Sequence, residues 1–326
     1  MTDQSNTELR IDTTPQIEWK VAEPYKTDYV SNIVPLNPDQ TSKIIGQETN
    51  KNIPTELLSF LQSNNHDAKI KYSVRVNESN QTSVVGELSL SANNKLVVVL
   101  KSEFEKSDEY EEFLQRKQNN QITDDEKMNG FFGQKDTKNI RAKNIILTDE
   151  TNNTAVDMTK IFPEVAFNYA AGKKLDNSTY NDGEHVAEKV FTIGNLTESD
   201  SPMLAFAGKL HEMGHRAMEI QTPPERYAEL TQLMQEAMAA GKPSNLSSEK
   251  IQPFKELLSE NEVGAWMHAL IIKRALQSRG IVLNVTDEEV ISFANEKLGT
   301  YEQAFGDGNK MFEITESNLQ NLPQII

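Results

Sequence analysis

The sequence predicts an α+β fold in which an antiparallel or mixed sheet is followed by a group of helices. Residues 66–155 contain short apolar runs, several of them alternating with polar residues and bounded by turn residues, and such runs are typical of strands. Residues 156–300 have apolar positions at helical spacing and residues that cap helix ends. Strands and helices that are segregated along the chain are typical of an α+β domain.

The chain of 326 residues is long enough for one large domain or two smaller ones. Residues 1–65 are polar and interrupted by prolines, and we expect a partly irregular N-terminal extension with one short helix from Thr55 to Gln62. We expect residues 66–326 to form the main domain, with a strand-rich part at 66–155, a helical part at 156–300 and a short C-terminal tail. The mean hydropathy of −0.58 fits a chain with long polar segments.

Three apolar segments predict an antiparallel meander, and a fourth predicts a further strand. Apolar and polar residues alternate from Ile70 to Val76 and again around Leu88 and Leu90. A continuous apolar run from Leu96 to Leu100 follows an Asn-Asn turn, and a further short strand is predicted from Ile145 to Leu147. Two helices are expected beside these strands, from about Phe104 to Arg116 and from Phe162 to Lys173.

Capping residues mark the helices of the second half. Ser201 and Pro202 predict the start of a helix that runs to about Ile220, because Ser is a good N-cap and Pro fits the first helical position. The segment Thr222 to Glu225 ends this helix and opens a second one.

Two more helices follow in the sequence. Apolar residues at helical spacing from Phe254 to Leu276 predict a long helix that Gly280 stops. A last helix is predicted from Thr286 to Leu298, with a capping box of Thr286 and Glu289 at its start and Gly299 at its end.

Composition and charge exclude several classes of partner. The net charge of −16 argues against nucleic acid, because contacts with phosphates need a basic face. The acidic balance is compatible with basic peptide substrates, although solubility alone explains it more simply. The sequence has no apolar run long enough to span a membrane and no leader peptide at its start, so we expect a soluble cytoplasmic protein. The absence of Cys excludes disulfides, thiol catalysis and thiolate metal ligands.

The most informative motif is His-Glu-Met-Gly-His at residues 211–215. Two residues four apart lie on the same face of a helix, so the imidazoles of His211 and His215 can bind one metal ion. Glu212 then points toward the same site. This is the HExxH arrangement of zinc metallopeptidases, in which the glutamate takes a proton from a metal-bound water that attacks an amide. The motif predicts one Zn²⁺ per chain, with Glu212 as the general base.

A third protein ligand is needed, because catalytic zinc normally has three protein ligands and a water. Glu262 is the best candidate, since a carboxylate in a mostly apolar helix is costly unless it is paired or bound to a cation. Glu260 is its competitor, and the two point about 200° apart on a helix, so only one of them can face the metal. We expect His268 on the same helix to be a packed or interfacial histidine that points elsewhere.

These residues resemble a known family of enzymes. HExxH on one helix and Glu-x-x-Ala on a later one, here at 262–265, is similar to the gluzincin pattern, and the segment looks like the ImmA/IrrE-type bacterial metallopeptidases. The resemblance covers roughly residues 201–280 and implies a zincin-like domain with His211, His215 and Glu262 as zinc ligands. The chain departs from the pattern in two ways: it has an extra helix between the ligand segments, and Trp266 stands where many gluzincins have an acidic residue that supports the ligands.

The sequence therefore predicts a zinc-dependent peptidase that acts on a peptide or protein. Tyr180, His185, Tyr227 and Tyr301 are candidates, by chemical type alone, for the donor that stabilises the oxyanion. Asp287 and Glu288 are expected to interact with a helix N-terminus, or to support the metal ligands. Two alternatives remain open at this point: a zinc-stabilised regulatory or interaction module with little protease activity, and a zinc hydrolase that does not cut peptides.

Overall fold

The computed structural model describes most of the chain from Thr27 to Pro323. The described residues are 27–48, 69–76, 82–100, 108–124, 142–163, 179–181, 186–188, 199–306 and 310–323, together with Leu58, Leu61 and Leu196. They form a seven-stranded antiparallel sheet, a separate strand pair and several helices, so the expected α+β class is confirmed. No helix within these ranges is both long and apolar enough to cross a membrane.

The sheet contains the predicted meander and additional strands at both ends. The strands are β1 (Pro35–Leu36), β2 (Gln47–Glu48), β3 (Ile70–Val76), β4 (Thr82–Ser89), β5 (Asn94–Leu100), β6 (Ala142–Asp149), β7 (Thr154–Asp157), β8 (Thr179–Asn181) and β9 (Val186–Glu188). The strand order in the sheet is β1-β7-β6-β5-β4-β3-β2, and every neighbouring pair is antiparallel. Strands β8 and β9 form a separate antiparallel pair.

Residues 27–48 contribute to both edges of this sheet. Pro35 of β1 pairs with Val156 of β7, whereas Gln47 of β2 pairs with Val76 of β3. Between them lies helix α1 (Pro38–Ile45), which the sequence analysis did not predict. Its capping box was present in the sequence, since the side chain of Asn37 accepts a hydrogen bond from the backbone N–H of Gln40. This part of the N-terminal region is therefore ordered against the sheet.

The helices that follow α1 are α2 (Asp108–Gln118), α3 (Pro202–Gln221), α4 (Pro224–Ala239), α5 (Ser248–Ser278), α6 (Asp287–Phe305) and α7 (Glu316–Gln320). Helices α3, α4 and α6 begin within one residue of their predicted starts, whereas α5 begins six residues before the predicted segment and α7 was not predicted. The predicted end of α6 at Gly299 was wrong, because the helix continues to Phe305 and closes at Gly306, which takes a left-handed conformation with φ of 70°. The helix predicted from Phe162 to Lys173 lies almost wholly outside the described residues.

The two faces of the sheet bury different residues. Leu96 and Val98 face α3 and α5 and belong to the main core, while the intervening Val97 belongs to a smaller core on the opposite face. The side chains of Ile44 and Ile45 from α1 pack against that smaller core. One face of the sheet therefore shares the main core with α3 and α5, and the other face packs against α1.

A buried polar clasp ties the sheet to the end of α5. The carboxylate of Asp149 accepts a hydrogen bond of 2.8 Å from the backbone N–H of Val282. The side chain of Asn94 donates to the carbonyl of Val282 and accepts from the N–H of Asn284. Both side chains are at most 2% exposed, so these bonds are protected from water. The clasp fixes the loop after α5 relative to the strands.

Candidate metal centre

Helices α3 and α5 approach closely at the centre of the site. A Cβ atom added to Gly214 of α3 would overlap the carbonyl oxygen of Ala265 in α5 and lie 2.8 Å from its carbonyl carbon. On the other side of the contact, a Cβ atom on Gly264 would overlap the side chain of Met218. The glycine in the middle of the motif is therefore required by packing. This close approach places the motif directly opposite Glu262, which lies three residues before Ala265.

The side chains of His211, His215 and Glu262 converge on one point. The Oε2 atom of Glu262 lies 3.2 Å from Nε2 of His211 and 3.6 Å from Nε2 of His215. The two imidazole rings meet edge to face, with their centroids 4.5 Å apart. The three side chains are between 9% and 11% exposed, so the group is almost completely shielded from solvent.

The geometry of this group fits a metal ion. Two of its atoms, Nε2 of His211 and Oε2 of Glu262, are buried and make no hydrogen bond. Buried polar atoms are normally satisfied, so an orphaned pair that faces a common point fits a site for a cation. Zinc binds such N and O donors at about 2.0 to 2.2 Å, which for a tetrahedron puts the ligand atoms about 3.3 Å apart. The observed separations of 3.2 and 3.6 Å are close to this value. The three residues could therefore hold a metal ion.

Glu260 faces away from this group, as helix geometry predicted. Its carboxylate makes a 2.5 Å ion pair with Arg226 of α4, on the outside of α5. Glu262, two residues later, is buried against the histidines. Burial alone would raise the pKa of Glu262, but His215 and His211 outweigh it and hold the pKa below its usual range.

Glu212 lies beside the three converging side chains, next to the imidazole of His211. Its Oε1 atom is 3.5 Å from Nδ1 of His211, and the residue is 8% exposed. Burial would raise the pKa of Glu212, but the neighbouring His211, His215 and Lys209 lower it below the usual range. The carboxylate is thus ionised at neutral pH and can accept a proton.

Lys209 is a neighbour that the sequence analysis missed. It is only 6% exposed, and burial lowers its pKa, while the negative charge of Glu212 acts in the opposite direction. The signal in the sequence was its spacing, since Lys209 precedes Glu212 by three residues and so lies on the same side of α3.

Trp266 packs directly on the first histidine of the motif. Its indole ring stacks on the imidazole of His211, with centroids 4.5 Å apart and an interplanar angle of 25°. Phe293 of α6 meets the indole edge to face at 5.9 Å. An aromatic stack therefore supports the first histidine of the motif.

Tyr301, one of the four candidate donors for the oxyanion, lies next to Glu262. Burial, followed by the negative charge of Glu262 and an interaction of the hydroxyl with its carboxylate, raises the pKa of Tyr301 well above its usual value. Glu212 acts in the same direction. The phenol thus keeps its proton at neutral pH. Its ring stacks on Phe312, with centroids 5.4 Å apart.

For two of the other three oxyanion candidates, the side chain falls outside the part of the chain that the structure describes. Tyr227 lies in α4, whereas His185 and the side chain of Tyr180 lie outside the described residues.

Asp287 makes ion pairs with Lys273 and Arg274. It therefore joins α6 to α5. Glu288 lies in the first turn of α6, where a carboxylate interacts favourably with the helix dipole, as expected for Asp287 and Glu288.

His268 is fully buried, and its Nδ1 atom makes a 2.6 Å hydrogen bond with the hydroxyl of Tyr29. The prediction of a packed histidine is confirmed.

Comparison of the chain with protein-family models, curated proteins and solved structures gave no significant match. The resemblance to gluzincins therefore rests only on the motif residues at 211–215 and 262–265.

Proposed function

We propose that the protein is a zinc-dependent peptidase of the gluzincin type, with a zincin-like domain and one Zn²⁺ per chain. The observation that supports this proposal most directly is the convergence of His211, His215 and Glu262, in which two buried ligand atoms make no hydrogen bond. Glu212 sits next to the group, and a purely structural metal site has no use for this fourth side chain.

Each residue of the site has a distinct chemical role in this proposal. His211, His215 and Glu262 hold the metal. Zinc, when bound, lowers the pKa of a bound water to about 7 and polarises a carbonyl group. Glu212 accepts the proton of the attacking water on its carboxylate and returns it to the leaving amine. Tyr301, which keeps its proton, donates a hydrogen bond to the oxyanion that develops at the scissile carbonyl.

The matched pair of wild type and Glu212→Gln tests the activity. Gln has nearly the same shape as Glu but cannot take a proton, so zinc content and melting temperature should stay the same. Cleavage of a peptide library, read by mass spectrometry, should fall by about 10² to 10⁴ in the variant. Equal cleavage by the two proteins would remove Glu212 from the mechanism. The cleavage sites would also define the substrate class.

A second candidate is a zinc-stabilised regulatory or interaction module. The low exposure of the site favours it, since the side chains of His211, Glu212, His215 and Glu262 are only 9% to 11% exposed. A substrate must reach this group before hydrolysis can occur. Zinc binding without peptide cleavage by the wild type would support the module over the enzyme.

A further inference from the structure

The imidazole of His211 is held by an aromatic ring. It stacks on Trp266 with centroids 4.5 Å apart and an angle of 25° between the ring planes. Trp266 is 3% exposed and His211 is 7% exposed, so the contact is buried on both sides. A buried stack of this kind restricts the rotation of the imidazole about its χ angles.

Trp266 is itself fixed by its surroundings. Ala265, the residue before Trp266, is in backbone contact with Gly214 of α3. This contact between α3 and α5 fixes the position of the backbone from which the indole side chain extends. Phe293 of α6 meets the indole edge to face, at 5.9 Å and 85°. Three helices thus determine where the indole lies, and the indole in turn determines where the imidazole lies.

Among the described residues, Glu212 has the carboxylate beside the second nitrogen of His211, but its Oε1 atom lies 3.5 Å from Nδ1, which is long for a hydrogen bond. The ion pairs that the structure gives for His211 within these ranges are with Glu212 and Glu262. Glu262 faces Nε2 as a candidate ligand, and Glu212 is the candidate base. In most metal sites a further carboxylate or carbonyl group fixes the second nitrogen of a ligating histidine.

We propose that Trp266 is the positioning residue for His211, and that it holds the imidazole in its metal-binding orientation by stacking. This inference rests on the proposed zinc site. An imidazole that is already oriented loses less freedom when the metal binds, so the stack raises zinc affinity. The indole also becomes an optical reporter of the site, because its emission depends on the ring that is packed against it.

The test compares Trp266 variants by zinc affinity, measured on the metal-free full chain by competition with a chromophoric chelator. Trp266→Leu should raise the Kd for Zn²⁺ by about 10- to 100-fold, the usual effect of losing a residue that orients a ligand. Trp266→Phe retains a ring for stacking, so its Kd should stay within about threefold of the wild type. A wild-type Kd in folded Trp266→Leu would overturn the proposal.

Phe254→Leu provides the matched control. Phe254 is also a 3%-exposed aromatic residue of α5, but it contacts Phe305 and lies about 18 Å along the helix axis from Trp266. The substitution removes a similar buried ring, so it should lower the melting temperature without changing the Kd for zinc. An equal rise in Kd in Phe254→Leu would show that loss of packing, and not the stack, weakens the site.

A second measurement does not depend on whether Trp266→Leu folds. The chain has two tryptophans, and Trp19→Phe leaves Trp266 as the single indole. Titration of this variant with Zn²⁺ should change its fluorescence until one equivalent is bound, and the change should disappear when His211→Ala is added. Zinc binding without any change in emission would overturn the proposal.

These results separate the inference from the proposed function. A wild-type chain that binds no zinc would overturn both. A chain that binds zinc, responds optically and cuts no peptide would support the role of Trp266 and contradict the peptidase.

Discussion

Gly214 and Ala265 form the contact on which the geometry of the site depends. The backbone of Gly214 lies against the carbonyl group of Ala265 so closely that a methyl group at position 214 would overlap it. Gly214 is the residue before His215, and Ala265 lies one turn after Glu262. The same contact that packs α3 against α5 therefore brings the histidines within 3.2 and 3.6 Å of the carboxylate.

Gly214→Ala should destabilise the protein. The added methyl group meets backbone atoms that cannot rotate away, so the helices must separate, at a cost of about 3 kcal/mol in the free energy of unfolding. Zinc affinity should fall as well, because the ligands move apart. Chemical denaturation and metal titration measure the two effects.

The control is Gly208→Ala on the same helix. The nearest atom to a Cβ at this position belongs to Phe293 and is 3.9 Å away, an ordinary contact. Alanine favours helices over glycine, so this variant should be more stable by about 0.5 to 1 kcal/mol. If the two variants behave alike, the close contact at Gly214 does not limit stability.

Glu262→Ala and Glu260→Ala separate the two carboxylates of α5. Loss of Glu262 leaves two ligands, so metal analysis should show that the purified protein no longer holds close to one zinc per chain. His211→Ala and His215→Ala should have the same effect. Glu260 pairs with Arg226 near the surface, and its removal should leave zinc content unchanged. The reverse result would assign Glu260 as the ligand.

Tyr301→Phe removes the hydroxyl group that interacts with the carboxylate of Glu262. If this hydroxyl stabilises the oxyanion, kcat should fall by about 10² to 10³ while zinc content stays the same. If it only orients Glu262, zinc affinity should fall instead. Steady-state kinetics and a zinc titration on the same preparation distinguish the two roles.

His268 makes stability depend on pH. Burial lowers its pKa to about 4 in the folded protein, compared with about 6.5 when it is exposed. The unfolded chain therefore binds a proton first as the pH falls. The contribution of neutral His268 to the free energy of unfolding is therefore fully present above pH 6.5 and is lost as the pH falls through about 4. The total loss is about 3 kcal/mol.

His268→Gln should reduce this dependence on pH, since Gln does not titrate and can still accept a hydrogen bond from Tyr29. The measurement is the free energy of unfolding by urea at several pH values between 7 and 4, for wild type and variant. Parallel curves would show that His268 does not carry the effect.

Local sequence signals were sufficient where the structure depends on neighbours in the chain. Ser201 and Pro202 predicted the start of α3, and its observed end at Gln221 is one residue beyond the prediction. Alternating apolar residues predicted strands β3 and β4, and short continuous apolar runs predicted β5 and β6. The spacing within 211–215 and the angle between Glu260 and Glu262 predicted which side chains face each other, because both follow from the 3.6-residue helical repeat.

Some errors came from signals that were ambiguous or too short. A glycine within a helix and a glycine at its end look alike in sequence, so Gly299 was read as the end of α6, which lies at Gly306. The strands β1 and β2 have two residues each and carry no period that can be recognised. Their place at the two edges of the sheet follows from pairing with distant strands.

The sequence by itself determined that two histidines share one helix face, that Glu212 lies between them in the chain and that Glu262, not Glu260, is the better third member of the group, since each of these depends on residue type and helical spacing. Only the tertiary structure decided that Trp266 stacks on His211 and that Tyr301 lies beside Glu262. It also decided that Gly214 touches Ala265. These contacts join helices that are far apart in the chain, and their geometry is set by packing against the sheet, which no local pattern encodes.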